Sequence, residues 1–198
     1  MKPFSEALSV LFLAFVVIAP TPAIAGPFGI DFGTDISELD VAESKRPGMY
    51  KVNPPDPHAD FISYTVYASP TWGVCKILAY TQPISTGVYG DELVAVHTNF
   101  KERLSTKYGK PSSDYNRAKP ESRWAKPKYF MMALEKRERQ LAAYWIKADG
   151  ADIPEDTKAI VLDTIPISLD SAMLTVGYEG TNRRECMDET NRLSDGAL

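Results

Sequence analysis

From Phe61 to Tyr80 the chain reads FISYTVYASPTWGVCKILAY, two runs of strict alternation about a short turn. In the first run Phe61, Ser63, Thr65 and Tyr67 oppose Ile62, Tyr64 and Val66; in the second, Val74, Lys76 and Leu78 oppose Cys75, Ile77 and Ala79. Successive side chains of a strand point to opposite faces. Ser69, Pro70 and Thr71 supply turn chemistry between the runs, so the spacing predicts a β-hairpin that holds Cys75 in the middle of a sheet.

Downstream, Leu93, Val96, Phe100 and Leu104 recur at helical spacing. They predict a helix from about Tyr89 to Tyr108, capped by Asp91 and stopped by Gly109 and Pro111. Ser112 to Lys126 reads as polar and irregular apart from Trp124. Pro127 is placed to begin a second helix reaching about Arg137, with Phe130 and Leu134 facing inward. Residues 139–147 are open between a continued helix and a strand, and the alternation of Ala142, Tyr144 and Ile146 favours a strand. Ala148 to Asp156 is a loop. Ala159 to Ser168 and Met173 to Tyr178 read as a second hairpin around Leu169, Asp170 and Ser171, followed by a short helix, capped by Thr181 or Asn182, that carries Cys186 and Leu193.

Upstream, Phe28, Ile30 and Phe32 alternate with small or polar residues, as in a short strand with one buried face. Thr34 to Ser44 fits a helical turn with Ile36, Leu39 and Val41 on its apolar side. Arg46, Pro47 and Gly48 signal a turn and Tyr50 to Val52 an extended segment. The prolines of Asn53 to Pro57 exclude helix there. Strands joined by hairpins, with few helices between, predict an α+β fold: a mainly antiparallel sheet with two or three helices packed on one face.

The first 25 residues carry the signs of a cleavable signal peptide: Lys2 at the start, an uncharged core of 13 residues from Ala7 to Ala19, then Pro20, Pro22 and the small-residue site Ala23, Ile24, Ala25. A spanning helix needs about 20 apolar residues, and a lipoprotein would need a cysteine where Gly26 stands. Cleavage is therefore expected between Ala25 and Gly26, with no membrane span afterwards. The remaining part of the 198-residue chain suits one α+β domain over 26–198. Its formal net charge of −4 argues against electrostatic capture of nucleic acid or anionic lipid. Both cysteines, Cys75 and Cys186, fall in the exported part. With no Cys/His cluster near either, they are expected to pair as one disulfide closing a loop of roughly 110 residues.

The run Phe28, Gly29, Ile30, Asp31, Phe32 and Gly33, the helix end Lys107, Tyr108, Gly109, Lys110 and Pro111, then Trp145, and Tyr178 before a Cys-bearing tail together resemble the uncharacterised small exported (periplasmic) proteins of Gram-negative bacteria. The resemblance implies an envelope location, periplasmic or secreted. It carries over no active site.

Catalytic chemistry has little to stand on. The two histidines, His58 and His97, lie in a proline-braced loop and on the long helix. His97 is expected there as a partly buried, hydrogen-bonded side chain. No HExxH, HxH or CxxC occurs, so neither a metal nor a cofactor is expected. There is no G-x-S-x-G elbow and no glycine-rich phosphate loop. Asp31 and Asp35 are candidates for a dispersed carboxylate pair, as in a hydrolase, solely because such pairs are set by separation in space.

Aromatic residues are the more suggestive feature. Trp72 lies at the hairpin turn and Tyr89 beside the long helix, where exposed rings would favour a protein or glycan contact. The loop Ser85, Thr86, Gly87, Val88 and Tyr89 is similar to the short Ser/Gly/Tyr loops with which bacterial lysozyme inhibitors plug an active-site cleft. Trp72, Ser85, Gly87 and Tyr89 are thus the candidate binding residues. The expected function is a non-enzymatic envelope module that binds a protein or a cell-wall component. Inhibition of a secreted hydrolase such as lysozyme is the alternative, and a hydrolase with dispersed carboxylates a third reading.

Overall fold

The computed structural model describes residues 26–195. The expected signal peptide at 1–25, with Ala25 of its cleavage site, lies outside the described residues. The first hairpin forms as the alternation requires. In chain order the strands are β1 (Asp40–Arg46), β2 (Met49–Asn53), β3 (Phe61–Ser69), β4 (Gly73–Thr81), the two-residue β5 (Ile84–Ser85), β6 (Ser113–Ala118), β7 (Arg139–Ile146), β8 (Thr157–Pro166) and β9 (Ser171–Gly180). They make one antiparallel sheet in the order β1-β2-β3-β4-β9-β8-β7-β6, with β5 paired to the start of β9. Two four-stranded meanders therefore meet at the β4–β9 pair. Three α-helices complete the α+β fold: α1 (Asp91–Tyr108), α2 (Phe130–Glu135) and α3 (Arg183–Asp195).

Register puts one buried row across the sheet. Val66 faces Ile77, Ile77 faces Tyr178, Tyr178 faces Ile160 and Ile160 faces Trp145, and all five are buried. Leu93 and Phe100 of α1 and Met131 and Leu134 of α2 belong to the same core. Burying each such side chain contributes roughly 1.5–3 kcal/mol. Trp145 keeps its one polar group satisfied by donating from Nε1 to the Gly109 carbonyl at 2.7 Å.

The disulfide between Cys75 and Cys186 is formed, across 111 positions of sequence. Tyr67 pairs with Lys76 and Ala68 with Val74, so Cys75 is the extra residue of a β-bulge in β4. The bulge falls where α3 is attached. Around the bond, Asn182 Nδ2 donates to the carbonyls of Trp72 and Val74, and Arg183 Nε lies 3.1 Å from Glu179 Oε1.

Several local expectations are corrected. Phe28 to Phe32 is not a strand: residues Pro27–Gly29 form a 3₁₀ turn with Phe28 at φ 60° and Gly29 at φ 76°. That turn swings the Phe28 ring into edge contact with Phe61, Tyr64 and Tyr178, at centroid distances of 5.6, 5.0 and 5.7 Å. Aromatic packing outweighs the backbone cost of a left-handed Phe. The helical turn expected over 34–44 shrinks to Ile36–Glu38, capped by Asp35 Oδ1 on the Ser37 N–H, and Asp40 onward is strand. Ser113–Ala118, read as irregular, is the edge strand β6 paired to β7. Residues 139–146 are strand, as the alternation favoured. Asp91 does not cap α1. Gly90 does, at φ 73°, and a Cβ there would meet the Phe130 ring at 2.3 Å.

Candidate functional site

The segment from Ile84 to Gly90 is a braced turn. Ser85 pairs with Ser171, and the Thr86 N–H donates to the Asp170 carbonyl at 2.9 Å. Glu92, in the first turn of α1, reaches back: its Oε2 accepts from Thr86 Oγ1 at 2.7 Å and from the Gly87 N–H at 3.2 Å. Those hydrogen bonds, the Thr86 hydroxyl first, hold the Glu92 carboxyl below its ordinary value. The Gly90 N–H closes the turn on the Gly87 carbonyl, and the Val88 carbonyl accepts from Met131 of α2. With the backbone fixed at both ends, Val88 and Tyr89 stand out at 51 % and 54 % exposure.

The β8–β9 turn lies beside it. Its backbone is closed by Ile167 and Ser168 donating to the Ser171 carbonyl, and Ser168 Oγ donates to Asp170 Oδ1. Ile165, Ile167 and Leu169 are all exposed there. Of the nine large exposed hydrophobic residues among the described ones, five therefore belong to this one end of the sheet. The backbone beneath this apolar end is thus ordered by its own hydrogen bonds, and only side-chain freedom is left to lose if the surface is covered.

The four candidate binding residues do not form one site. Ser85, Gly87 and Tyr89 share the braced turn. Trp72, also exposed, sits at the β3–β4 tip, the other end of β4, about 30 Å away by the length of a nine-residue strand. There it belongs to the α3 anchorage, its carbonyl accepting from Asn182. Ile165, Ile167 and Leu169 were missed by the sequence reading. Their signal is the apolar alternation of Ile165, Ile167 and Leu169 running on through a hairpin tip, where polar residues are expected.

The remaining candidates are occupied with the fold. Asp31 Oδ1 accepts from the Gly26 N–H at 2.6 Å, and Asp35 caps its own turn. His58 Nδ1 accepts from the Asp60 N–H on the surface. His97 is fully buried, not partly, and contrary to expectation its Nε2 has no hydrogen-bond partner. Burial first, with the Lys101 ammonium adding and Asp114 opposing, lowers it from 6.5 to about 4. The cysteines are consumed by each other. Among the described residues no three His, Cys, Asp or Glu side chains gather as a metal site would require. No known protein family, no curated protein and no solved structure matches the chain.

Proposed function

We propose that this is an exported envelope protein, periplasmic or released, that works by binding rather than catalysis. It docks a protein or cell-wall partner through the end built from the 85–89 turn and the 165–169 tip. The observation that carries the reading is the convergence of Val88, Tyr89, Ile165, Ile167 and Leu169 on two braced turns. Exposed apolar side chains on a pre-ordered backbone gain contact area while losing little conformational freedom.

Export is supported by the leader-like first 25 residues and by a disulfide, a bond that persists in oxidising compartments. It is also supported by the surroundings of Gly26. The Gly26 nitrogen is held by the Asp31 carboxylate, so cleavage after Ala25 would place a new ammonium beside a fixed anion. A Cβ at Gly26 would meet the Ile30 carbonyl oxygen at 2.1 Å, which suits glycine at that first position.

A second reading, inhibition of a secreted hydrolase, is favoured by the Glu92 brace, because a rigid projecting turn is what a cleft plug needs. Both are tested by capture from envelope extract with tagged protein beginning at Gly26. Wild type and Trp72→Ser should retain the same partner, and a Tyr89→Ser/Ile167→Ser/Leu169→Ser variant should lose it by roughly tenfold or more, as removal of central apolar anchors does. Retention by the triple variant would refute the docking end. Inhibition of a lysozyme by wild type, abolished in Tyr89→Ala, would select the inhibitor reading.

A further inference from the structure

A second feature lies where β6 and β8 finish and β7 begins, near the end of α2, and it adjoins the apolar end, whose Ile165 also lines it. A cleft of 870 Å³ opens there, and Arg117, Lys119, Arg137 and Arg139 stand in its wall. The volume falls within the roughly 300–1,000 Å³ typical of small-molecule sites. Three carboxylates line it too, each with a partner in the fold. Glu138 Oε2 accepts the Ser122 hydroxyl at 2.6 Å, Asp163 Oδ1 accepts the Thr164 N–H at 2.8 Å, and Glu135 lies 3.6 Å from Lys136 Nζ.

The cations are held differently, Arg117 lying over the Tyr115 ring at 4.7 Å. Among the described residues no ion pair involves Arg117, Lys119 or Arg137. Arg139 is held as a fixed wall, donating to Asn116 Oδ1 at 3.0 Å and lying over the Phe130 ring at 4.6 Å, with its Nε buried and unpartnered. The stretch from Tyr115 to Gln140 holds eight Lys and Arg against three Asp and Glu, in a chain whose net charge is −4. In the cleft wall itself four cations face three carboxylates, Glu135, Glu138 and Asp163, and an anion placed beside the guanidinium groups is favoured by that excess and by its distance from the carboxylates.

The backbone adds a separate argument. Arg137 has φ 56°, and its N–H closes the end of α2 on the Leu134 carbonyl. Glycine takes that left-handed conformation freely and arginine does not. A guanidinium thus stands on the cleft wall at a position where the turn alone favours glycine, and strained positions of this kind cluster at ligand sites.

We propose that this cleft binds a small ligand carrying two or more carboxylate or phosphate groups. Arg117, Arg137 and Lys119 take its oxygens, and Arg139 supplies a pre-positioned side. The planar fork of a guanidinium matches either oxyanion. Digalacturonate and pyrophosphate serve as probes, titrated calorimetrically into protein beginning at Gly26, at low salt and again at about 0.15 M salt.

One-site, saturable binding that weakens with salt is expected for at least one probe, and the tighter arm identifies a carboxylate or a phosphate ligand. Arg117→Gln and Arg137→Gly should each weaken it roughly tenfold or more, the loss of one charge-assisted contact. Arg137→Gly should leave the thermal midpoint unchanged or raised, since glycine suits the turn, which separates lost binding from lost fold. Neither probe saturating would overturn the proposal. So would Arg137→Gly binding as well as wild type, or a single-stranded oligonucleotide binding more tightly than both probes, which would make the region a nucleic-acid patch.

Discussion

At the scale of single residues, His97 shows how a side chain with no apparent task still shapes the protein's behaviour. Buried on α1 without a partner for Nε2, it stays neutral in the fold until about pH 4, whereas in the unfolded chain it takes a proton near 6.5. Between those values the unfolded state binds more protons, so stability rises with pH from 4 to 6.5 and is lost as pH falls through the window. The loss is on the order of 3 kcal/mol. Urea titrations at pH 6.5 and pH 4 should show wild type losing that much more than His97→Leu, which has nothing to titrate. Parallel losses in the two proteins would refute the account. The sequence placed His97 on the apolar side of the helix through its neighbours Leu93 and Phe100. It could not show the missing hydrogen bond, because that depends on what the sheet offers opposite.

Elements differ in how much holds them. α3 buries Cys186 and Thr190, with the rest of its length largely solvated. Its other ties are Glu189 accepting from Thr71 and the Asn182 and Arg183 contacts beside the bond. The bond itself closes 111 positions, for which chain entropy predicts stabilisation approaching 5 kcal/mol, with about 2–5 kcal/mol usual when a native disulfide is removed. Reduction should therefore lower the unfolding free energy measured in urea by that amount, and hydrogen exchange should show α3 amides losing protection before those of β4 and β9. Protection of α3 that survives reduction would contradict the anchoring role. The same contrast explains what could be read in advance. β3, β4 and β8 pack against helices and lie in the middle of the sheet, so their apolar residues mark them as strands. β6 (Ser113–Ala118) is a polar edge strand with one neighbour, and SDYNRA carries no period to find. The segment at Phe28 does carry a period, but a left-handed turn at a non-glycine residue leaves no mark in the letters.

Across the whole molecule, the sheet assigns places that sequence order conceals. Trp72 and Tyr89 flank the same strand in sequence, and β4 carries them to opposite ends of the sheet. Ser85 and Ser171 are far apart in sequence, yet the short β5–β9 pairing lays the 85–89 turn against the 165–169 tip. Half of the proposed docking end was therefore legible, as a turn before a helix, while the other half lay in a segment read only as a hairpin strand and its turn, Ala159 to Ser171. The cleft was hidden differently, its cations being spread over β6, the following loop and the turn into β7. The docking end makes the central claim of the account. The most direct measurement installs a photo-crosslinking residue at Tyr89, Ile167 or Trp72 in the full chain and irradiates living cells that express it. The account predicts one and the same crosslinked product from positions 89 and 167, and none from 72. A product from position 72 alone, or none from 89 and 167, would contradict it.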